Sequence, residues 1–183
     1  MLNKISMREF TPKQTDVILL DTNLIIDLFY PMNFGKNVAD ATDIYKKIVK
    51  SGAKIIMSAI QISEFVNRCI RFQFDLYKSE HPECVSFKKD YRGTEDYTNC
   101  MNAIIEIINN EWKNIITYVD DKFTELPLEK ILKYNFSYDF NDAIIVEIAN
   151  KYNAIIVTND TDIINYDVKS KVVTSSTFLL SIR

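Results

Sequence analysis

The chain has 183 residues and a formal net charge of −3, with 47% hydrophobic and 26% charged residues. This composition predicts a folded protein and excludes disordered and low-complexity classes. The slightly acidic balance excludes a uniformly basic nucleic-acid binder, so any surface for nucleic acid has to be local. With one histidine and three glycines, the sequence lacks the material for histidine catalysis, a zinc centre or a glycine-rich nucleotide loop.

The cysteines and the N-terminal segment bear on the cellular compartment. Cys69, Cys84 and Cys100 lack metal-site spacing, and their odd number does not suit a closed disulfide framework, so we expect free thiols. We interpret residues 1–16 as a leader without the apolar core of a signal peptide, and no stretch approaches the ~20 apolar residues of a membrane span. These features predict a cytoplasmic protein with no membrane partner.

Short apolar runs alternate with helical patterns along the chain. Residues 17–20 are all apolar, which is typical of a strand buried on both faces of a sheet. The alternation predicts one α/β domain spanning residues 1–183, with three layers and a central, mostly parallel sheet of about five strands. Residues 79–93 are predicted to be a loop or an insertion. In chain order, the predicted strands are 17–20, 54–57, 115–119, 154–157 and 172–173. The predicted helices are one that includes Leu24, Ile25 and Leu28, then 37–50 after a loop at 31–36, 59–77, 94–114, 126–132, 139–152 and 178–182.

Two of the predicted strands end in a carboxylate. Asp21 directly follows the strand 17–20, and Asp160 follows the strand 154–157 after two polar residues. In open α/β sheets, ligands bind at the edge formed by the carboxyl ends of the strands. Both acids are therefore expected at a ligand-binding edge.

Two further acids are predicted to reach the same edge. Asp142 lies on the inward, apolar face of the helix 139–152, where a carboxylate needs a partner. Glu64 lies in the second turn of the helix that follows the strand 54–57, close to that strand's carboxyl end. We expect the four acids to converge.

Converging carboxylates repel one another unless a divalent cation neutralises them. An all-oxygen ligand set suits Mg²⁺ or Mn²⁺, and these ions support phosphodiester hydrolysis by activating water and stabilising the leaving oxygen. The predicted catalytic and metal-binding residues are Asp21, Glu64, Asp142 and Asp160. Asp162 is either a fifth, outer metal ligand or a surface residue. Asn23 and Thr158 are expected to orient the acids through hydrogen bonds.

Basic residues near Glu64 are candidates for binding phosphates. Arg68 and Arg71 share the helix face of Glu64, and residues 68–92 contain six Lys or Arg against four Asp or Glu. The alternative for this weakly positive patch is a solvated helix face. Asp27 and Glu147 are interpreted as surface charges.

Four short motifs together resemble those of the PIN-domain nucleases, in the expected order and on the expected elements, from about residue 17 to residue 173. They are Asp21-Thr22-Asn23, Ser63-Glu64-Phe65, Asp142-Ala143-Ile144-Ile145 and Thr158-Asn159-Asp160. The resemblance implies that the four acids bind Mg²⁺ or Mn²⁺ and that the protein cuts single-stranded or structured RNA. Many members of the family are toxins of toxin–antitoxin modules, and the chain resembles these VapC-like toxins, which implies a homodimer and an antitoxin partner. One departure from the small toxin type is the extra length around residues 72–115.

Each acid also has a purely structural alternative. Asp21 and Asp160 could cap the helix or turn that follows, and Asp142 could belong to a capping arrangement at the start of its helix. Glu64 could pair with Arg68 at i, i+4. The joint occurrence of the acids at one sheet edge favours the functional interpretation.

Two other functions stay open at the level of sequence. Asp160-Thr161-Asp162 follows a strand in the manner of haloacid-dehalogenase-like phosphatases, but that motif belongs on the first strand, and only residues 163–183 follow it here. The other alternative is a non-catalytic PIN-like module that binds RNA or protein. Retention of all four acids argues against it.

Overall fold

The computed structural model describes residues 2–30, 36–121, 123–133 and 139–182, and shows six parallel strands with helices on both sides. The strands are β1 Lys4–Ser6, β2 Val17–Leu20, β3 Lys54–Ser58, β4 Ile116–Val119, β5 Ile155–Val157 and β6 Val172–Thr174. The α-helices are α1 Thr22–Phe29, α2 Lys36–Ser51, α3 Ala59–Glu80, α4 Glu95–Glu106, α5 Leu128–Lys133, α6 Phe140–Tyr152 and α7 Thr177–Ser181. The predicted three-layer α/β class and parallel sheet agree with this architecture.

The order of the strands places a crevice in the middle of the sheet. The order is β1-β6-β5-β2-β3-β4, so the chain runs from β2 outward to β4 and then crosses back to β5 on the other side of β2. The direction of winding reverses between β2 and β5, which is where open α/β sheets bind ligands. At this point the backbone N–H of Asp21 donates to the carbonyl of Val157 at 3.0 Å, joining the two strand ends.

Residues of β2 alternate between two apolar cores. Ile18 and Leu20 pack with residues of α1 to α4, whereas Leu19 packs with residues of α5, α6 and α7. All three side chains are buried. Because helices cover both faces, the strand is a continuous apolar run rather than an alternating one.

The interpretation of residues 1–16 as a leader needs correction. Residues 4–6 form β1, which pairs with β6, and Met7 and Phe10 are buried in the core. Lys4 and Ser6 are polar, so the segment lacks the apolar run by which the other strands were predicted. Pairing with β6 depends on backbone hydrogen bonds, which sequence patterns do not report.

The segment after α3 is more regular than predicted. Within residues 79–93, a π-helical turn spans Phe87–Tyr91, and both Cys84 and Tyr91 are buried. The predicted helix 94–114 is α4 followed by a second π-helical turn. The predicted loop 31–36, apart from its last residue, lies outside the described residues.

No helix in the described ranges is long and apolar enough to cross a membrane.

Candidate active site

Asp21 lies at the carboxyl end of β2 and accepts two hydrogen bonds. Its Oδ2 accepts the Thr158 hydroxyl at 2.6 Å, and its Oδ1 accepts the backbone N–H of Asn23 at 3.4 Å. The Thr158 hydroxyl oxygen also accepts the backbone N–H of Asp160 at 2.9 Å. One threonine therefore links the acids at the ends of β2 and β5, as expected for a residue that orients them.

Glu64 reaches the site from the second turn of α3. Its Oε2 accepts the hydroxyl of the fully buried Thr22 at 2.8 Å, and its Oε1 lies 3.5 Å from Nη1 of Arg68. The same Arg68 nitrogen donates to the side-chain carbonyl of Asn23. The predicted i, i+4 pair of Glu64 and Arg68 is thus present, but it is part of the site. Because the Arg68 side chain is 46% exposed, it places a cation at the rim.

The pKa values show that the four acids share one electrostatic neighbourhood. Burial raises the pKa of Asp142 to about 7, and the neighbouring carboxylates add to the effect. Those carboxylates are, in decreasing order of effect, Asp21, Asp139, Asp160 and Glu64. Burial also raises the pKa of Asp21; the hydrogen bond from Thr158 opposes this shift, while Asp160 and Glu64 add to it. Both groups are therefore costly to ionise without a positive charge nearby.

A recess of about 340 Å³, open to solvent, adjoins the acids. Its polar lining is Asp21, Asp142, Thr158 and Asp160, and its apolar lining is Ile145, Val146, Ile156, Ile163 and Tyr166. The apolar wall keeps water from one side of the carboxylates, which accounts for the effect of burial on their pKa values. A small polar group can approach the acids only from the solvent side.

The capping alternatives for Asp21 and Asp160 are also realised. Oδ1 of Asp160 accepts the backbone N–H of Asp162 at 2.9 Å, and the capping bond of Asp21 goes to Asn23. At the start of α6 the cap is Asp139, which accepts the backbone N–H of Asn141 at 2.8 Å. In Asp21 and Asp160 capping uses one carboxylate oxygen, so capping and ligand binding are compatible.

Two predicted residues are peripheral in the structure. Asp162 is exposed and contacts the site through its backbone N–H to Asp160. Arg71 is exposed, and its guanidinium lies 4.1 Å from the ring centroid of Phe87. Arg68 therefore joins the acids, whereas Arg71 packs on an aromatic ring further along α3.

Sequence reasoning missed three features of this region. Thr22 supports Glu64, and the only signal was its place directly after Asp21. Tyr166 lines the recess and donates its hydroxyl to the carbonyl of Asp139 at 3.2 Å; no pattern indicated it. Glu147, expected at the surface, is only 8% exposed, because α6 is covered along most of its length.

The donor set fits a hard divalent cation. Every candidate ligand is a carboxylate oxygen, and the largest charge effects on Asp142 come from other carboxylates. Within the described ranges, no three His, Cys, Asp or Glu residues lie close enough together to hold one metal ion between them. Mg²⁺ commonly takes one or two carboxylates directly and keeps several waters. The arrangement therefore fits an ion held directly by one or two of these acids, with the others acting through water.

The sequence model of the PIN domain family matches residues 18–169, a span that includes all four acids. The chain therefore belongs to the PIN domain family. PIN domains are nucleases that generally use divalent metal ions, which supports a hydrolase. The predicted resemblance and fold are confirmed by this match.

Among solved structures, a similar chain occurs in the crystal structure of VapBC2 from Rickettsia felis bound to a DNA fragment from their promoter. The two sequences are 16% identical, the TM-score is 0.49, and the match covers 86% of this chain and 96% of that chain. A comparison with curated proteins gave no match. Family membership rests on the sequence match over residues 18–169 and not on this distant likeness.

Proposed function

We propose that the protein is a divalent-metal-dependent endoribonuclease that hydrolyses single-stranded RNA at the crevice between β2 and β5. The observation that supports this most directly is that Asp21, Glu64 and Asp160 raise the pKa of Asp142, and that Glu64 and Asp160 also raise that of Asp21, at a ligand-binding edge. Such a set of acids is costly to the folded protein unless a cation binds. Family membership supports nuclease chemistry, and RNA as the substrate rests on the resemblance to the family.

The roles of the chain's own groups follow from their contacts. A divalent cation bound by the acids supplies Lewis acidity for the phosphate and lowers the pKa of the attacking water. Thr158 fixes the orientation of Asp21, and Thr22 fixes that of Glu64. At the rim, Arg68 is placed to attract the scissile phosphate, since part of its side chain is exposed.

The decisive experiment is cleavage of a labelled single-stranded RNA by the purified protein, with Mg²⁺ or Mn²⁺ and with EDTA. We expect cleavage only with metal, and products with a 5′-phosphate, because water attacks phosphorus without using the ribose hydroxyl. Asp21→Asn is expected to be inactive. The exposed Asp43→Asn on α2 is the matched control and is expected to stay active. Cleavage in EDTA, or products with a 2′,3′-cyclic phosphate, would show that the mechanism is wrong.

We further propose, from the family resemblance, that the ribonuclease acts as a homodimeric toxin inhibited by an antitoxin. The gene immediately upstream is then expected to encode a small DNA-binding protein. Co-expression of that protein should restore the growth of cells that produce the ribonuclease. If it does not bind the ribonuclease, the toxin assignment fails while the nuclease assignment stands.

A further inference from the structure

Beyond the acids, the far half of α3 and the π-helical turn at Phe87–Tyr91 build an aromatic cluster. The ring centroid of Phe87 lies 5.4 Å from that of Phe74, 5.8 Å from that of Tyr91 and 6.3 Å from that of Tyr97. These contacts come from three elements and fix the Phe87 ring in place. The cluster lies within residues 72–115, where the sequence indicated extra length relative to the small toxin type.

Two guanidinium groups pack on this one ring. The guanidinium carbon of Arg71 lies 4.1 Å from the centroid of Phe87, and that of Arg92 lies 5.4 Å from it. Both arginines are exposed, and Phe87 is half-buried. A flat guanidinium held on an aromatic face keeps its N–H donors directed along its edge, where a phosphate can accept them. We call Arg71, Arg92 and Phe87 the arginine platform.

Asp90 and Asp96, two acids of this region, bind other groups instead of these arginines. Asp90 accepts the backbone N–H groups of Val85 and Ser86, and Asp96 accepts the hydroxyl of Tyr91 and the amide of Gln73; all four donors belong to the same region of the fold. In the part of the chain that the structure describes, neither arginine of the platform forms an ion pair. Exposed Lys88 and Lys89 add to the local positive charge.

The arginine platform is continuous with the candidate active site along α3. With a rise of 1.5 Å per residue, Arg68 is about 6 Å and Arg71 about 10 Å beyond Glu64 along the helix axis. Arg68 contacts Glu64 directly, and Arg92 packs on the same Phe87 ring as Arg71. The cations thus form a line that starts at the acids and leads away from them.

We propose that the arginine platform binds the backbone phosphates of the RNA strand outside the acid site. This inference rests on the proposed function and adds the surface that holds the substrate. Arginine suits the role because it binds phosphates bidentately and can stack on exposed bases of a single strand. An RNA strand fits better than an acidic protein because the line of cations begins at the residues proposed to cut it.

The test compares Arg71→Gln/Arg92→Gln with wild type by fluorescence anisotropy of a long single-stranded oligoribonucleotide in EDTA. The slope of log Kd against log salt is expected to fall by about 1.4, from two lost phosphate contacts at ~0.7 each. Between about 50 and 200 mM salt this is a roughly sevenfold smaller loss of affinity for the variant. Cleavage of a dinucleotide with Mg²⁺ is expected to proceed at the wild-type rate, because its single phosphate is the one that is cut and none is left to contact the platform.

Two further variants test the cause of the expected change in slope. One shows whether it depends on where the charge is removed, and the other whether it comes from misfolding. Lys50→Gln/Lys169→Gln removes the same charge from exposed lysines that precede β3 and β6, at the amino ends of these strands, and is expected to keep the wild-type slope. Arg71→Lys/Arg92→Lys retains both charges and is expected to keep most of the slope, even if the Gln variant does not fold.

The proposal is overturned if Arg71→Gln/Arg92→Gln and Lys50→Gln/Lys169→Gln change the slope of log Kd against log salt equally, or if neither changes it. Unchanged RNA binding combined with the loss of a protein assembly in sedimentation also overturns it, because the platform would then be a protein-binding surface. Failure of the proposed function looks different: the wild type then cleaves neither the long RNA nor the dinucleotide with metal present.

Discussion

Asp142→Asn offers a test of the acid cluster that needs no RNA. The pKa of Asp142 is raised from 3.8 to about 7, so its ionisation opposes folding. A shift of about 3 units corresponds to at most about 4 kcal/mol, and partial exposure reduces this to about 2 kcal/mol. Asn also gives up about 0.5 kcal/mol of favourable interaction with the N-terminus of α6. The variant is expected to be more stable by about 1.5 kcal/mol, or roughly 3–6 °C in Tm, without metal at neutral pH and above.

The pH dependence of this difference has a definite sign. Between the unfolded pKa of about 3.9 and the folded pKa, the native state binds the extra proton, so wild-type stability falls as pH rises through this window. The advantage of Asp142→Asn is therefore absent near pH 4, grows with pH and is complete above about pH 7. Thermal unfolding in EDTA, followed by circular dichroism at several pH values, measures it. The control is Asp43→Asn at an exposed position of α2, which is expected to have the same Tm as wild type at each pH.

A divalent metal ion should make wild type more stable than Asp142→Asn, the reverse of their order without metal. An ion at ~100 times its Kd stabilises the folded state by about 2.7 kcal/mol. We expect wild type to gain most of this amount with Mg²⁺ or Mn²⁺, and Asp142→Asn to gain little because a ligand is missing. The reasoning is refuted if Asp142→Asn melts at or below wild type at high pH without metal, or if metal raises both proteins equally.

Three other perturbations follow from the same contacts. Asp21→Asn is expected to abolish RNA cleavage yet fold, since Asn caps α1 about as well as Asp; a variant that cuts RNA at the wild-type rate contradicts the role of Asp21. Thr158→Val removes the hydroxyl that joins Asp21 and Asp160, so cleavage should fall about 10–100-fold and stability by about 1–3 kcal/mol, while Thr158→Ser should keep both. Because ligating carboxylates must be deprotonated, Mg²⁺ affinity measured by calorimetry should rise as pH passes through about 7, the pKa of Asp142; a pH-independent affinity would remove Asp142 from the ligand set.

Elements with strongly buried apolar residues could be predicted from the sequence. Contacts between polar side chains of different elements could not. The strand at Val17–Leu20 was predicted at its observed bounds, because a strand buried on both faces is an uninterrupted apolar run and this run stops at Asp21. The approach of Asp21 to Asp160 followed from parallel strands sharing an edge. The bond from Thr22 to Glu64 could not be predicted, since it depends on how α1 and α3 lie beside each other.

The same limit applies to the cations. Arg68 and Arg71 share a helix face, and sequence spacing gave them one role. The structure separates them because Phe87, 16 residues after Arg71 in the sequence, folds back beneath its guanidinium. Side-chain pairs brought together by a turn of irregular geometry leave no periodic signal.

The position of β1 has a consequence for synthesis of the protein on the ribosome. β1 precedes the other described strands in the chain, but the strand it pairs with among the described residues is β6 at Val172–Thr174, more than 160 residues later. At translation rates of about 5–20 residues per second, β1 waits roughly 10–30 s before its partner exists. Because Lys4 and Ser6 are polar, the waiting segment offers other chains little apolar surface. Closing this edge of the sheet is thus a late, long-range event in folding.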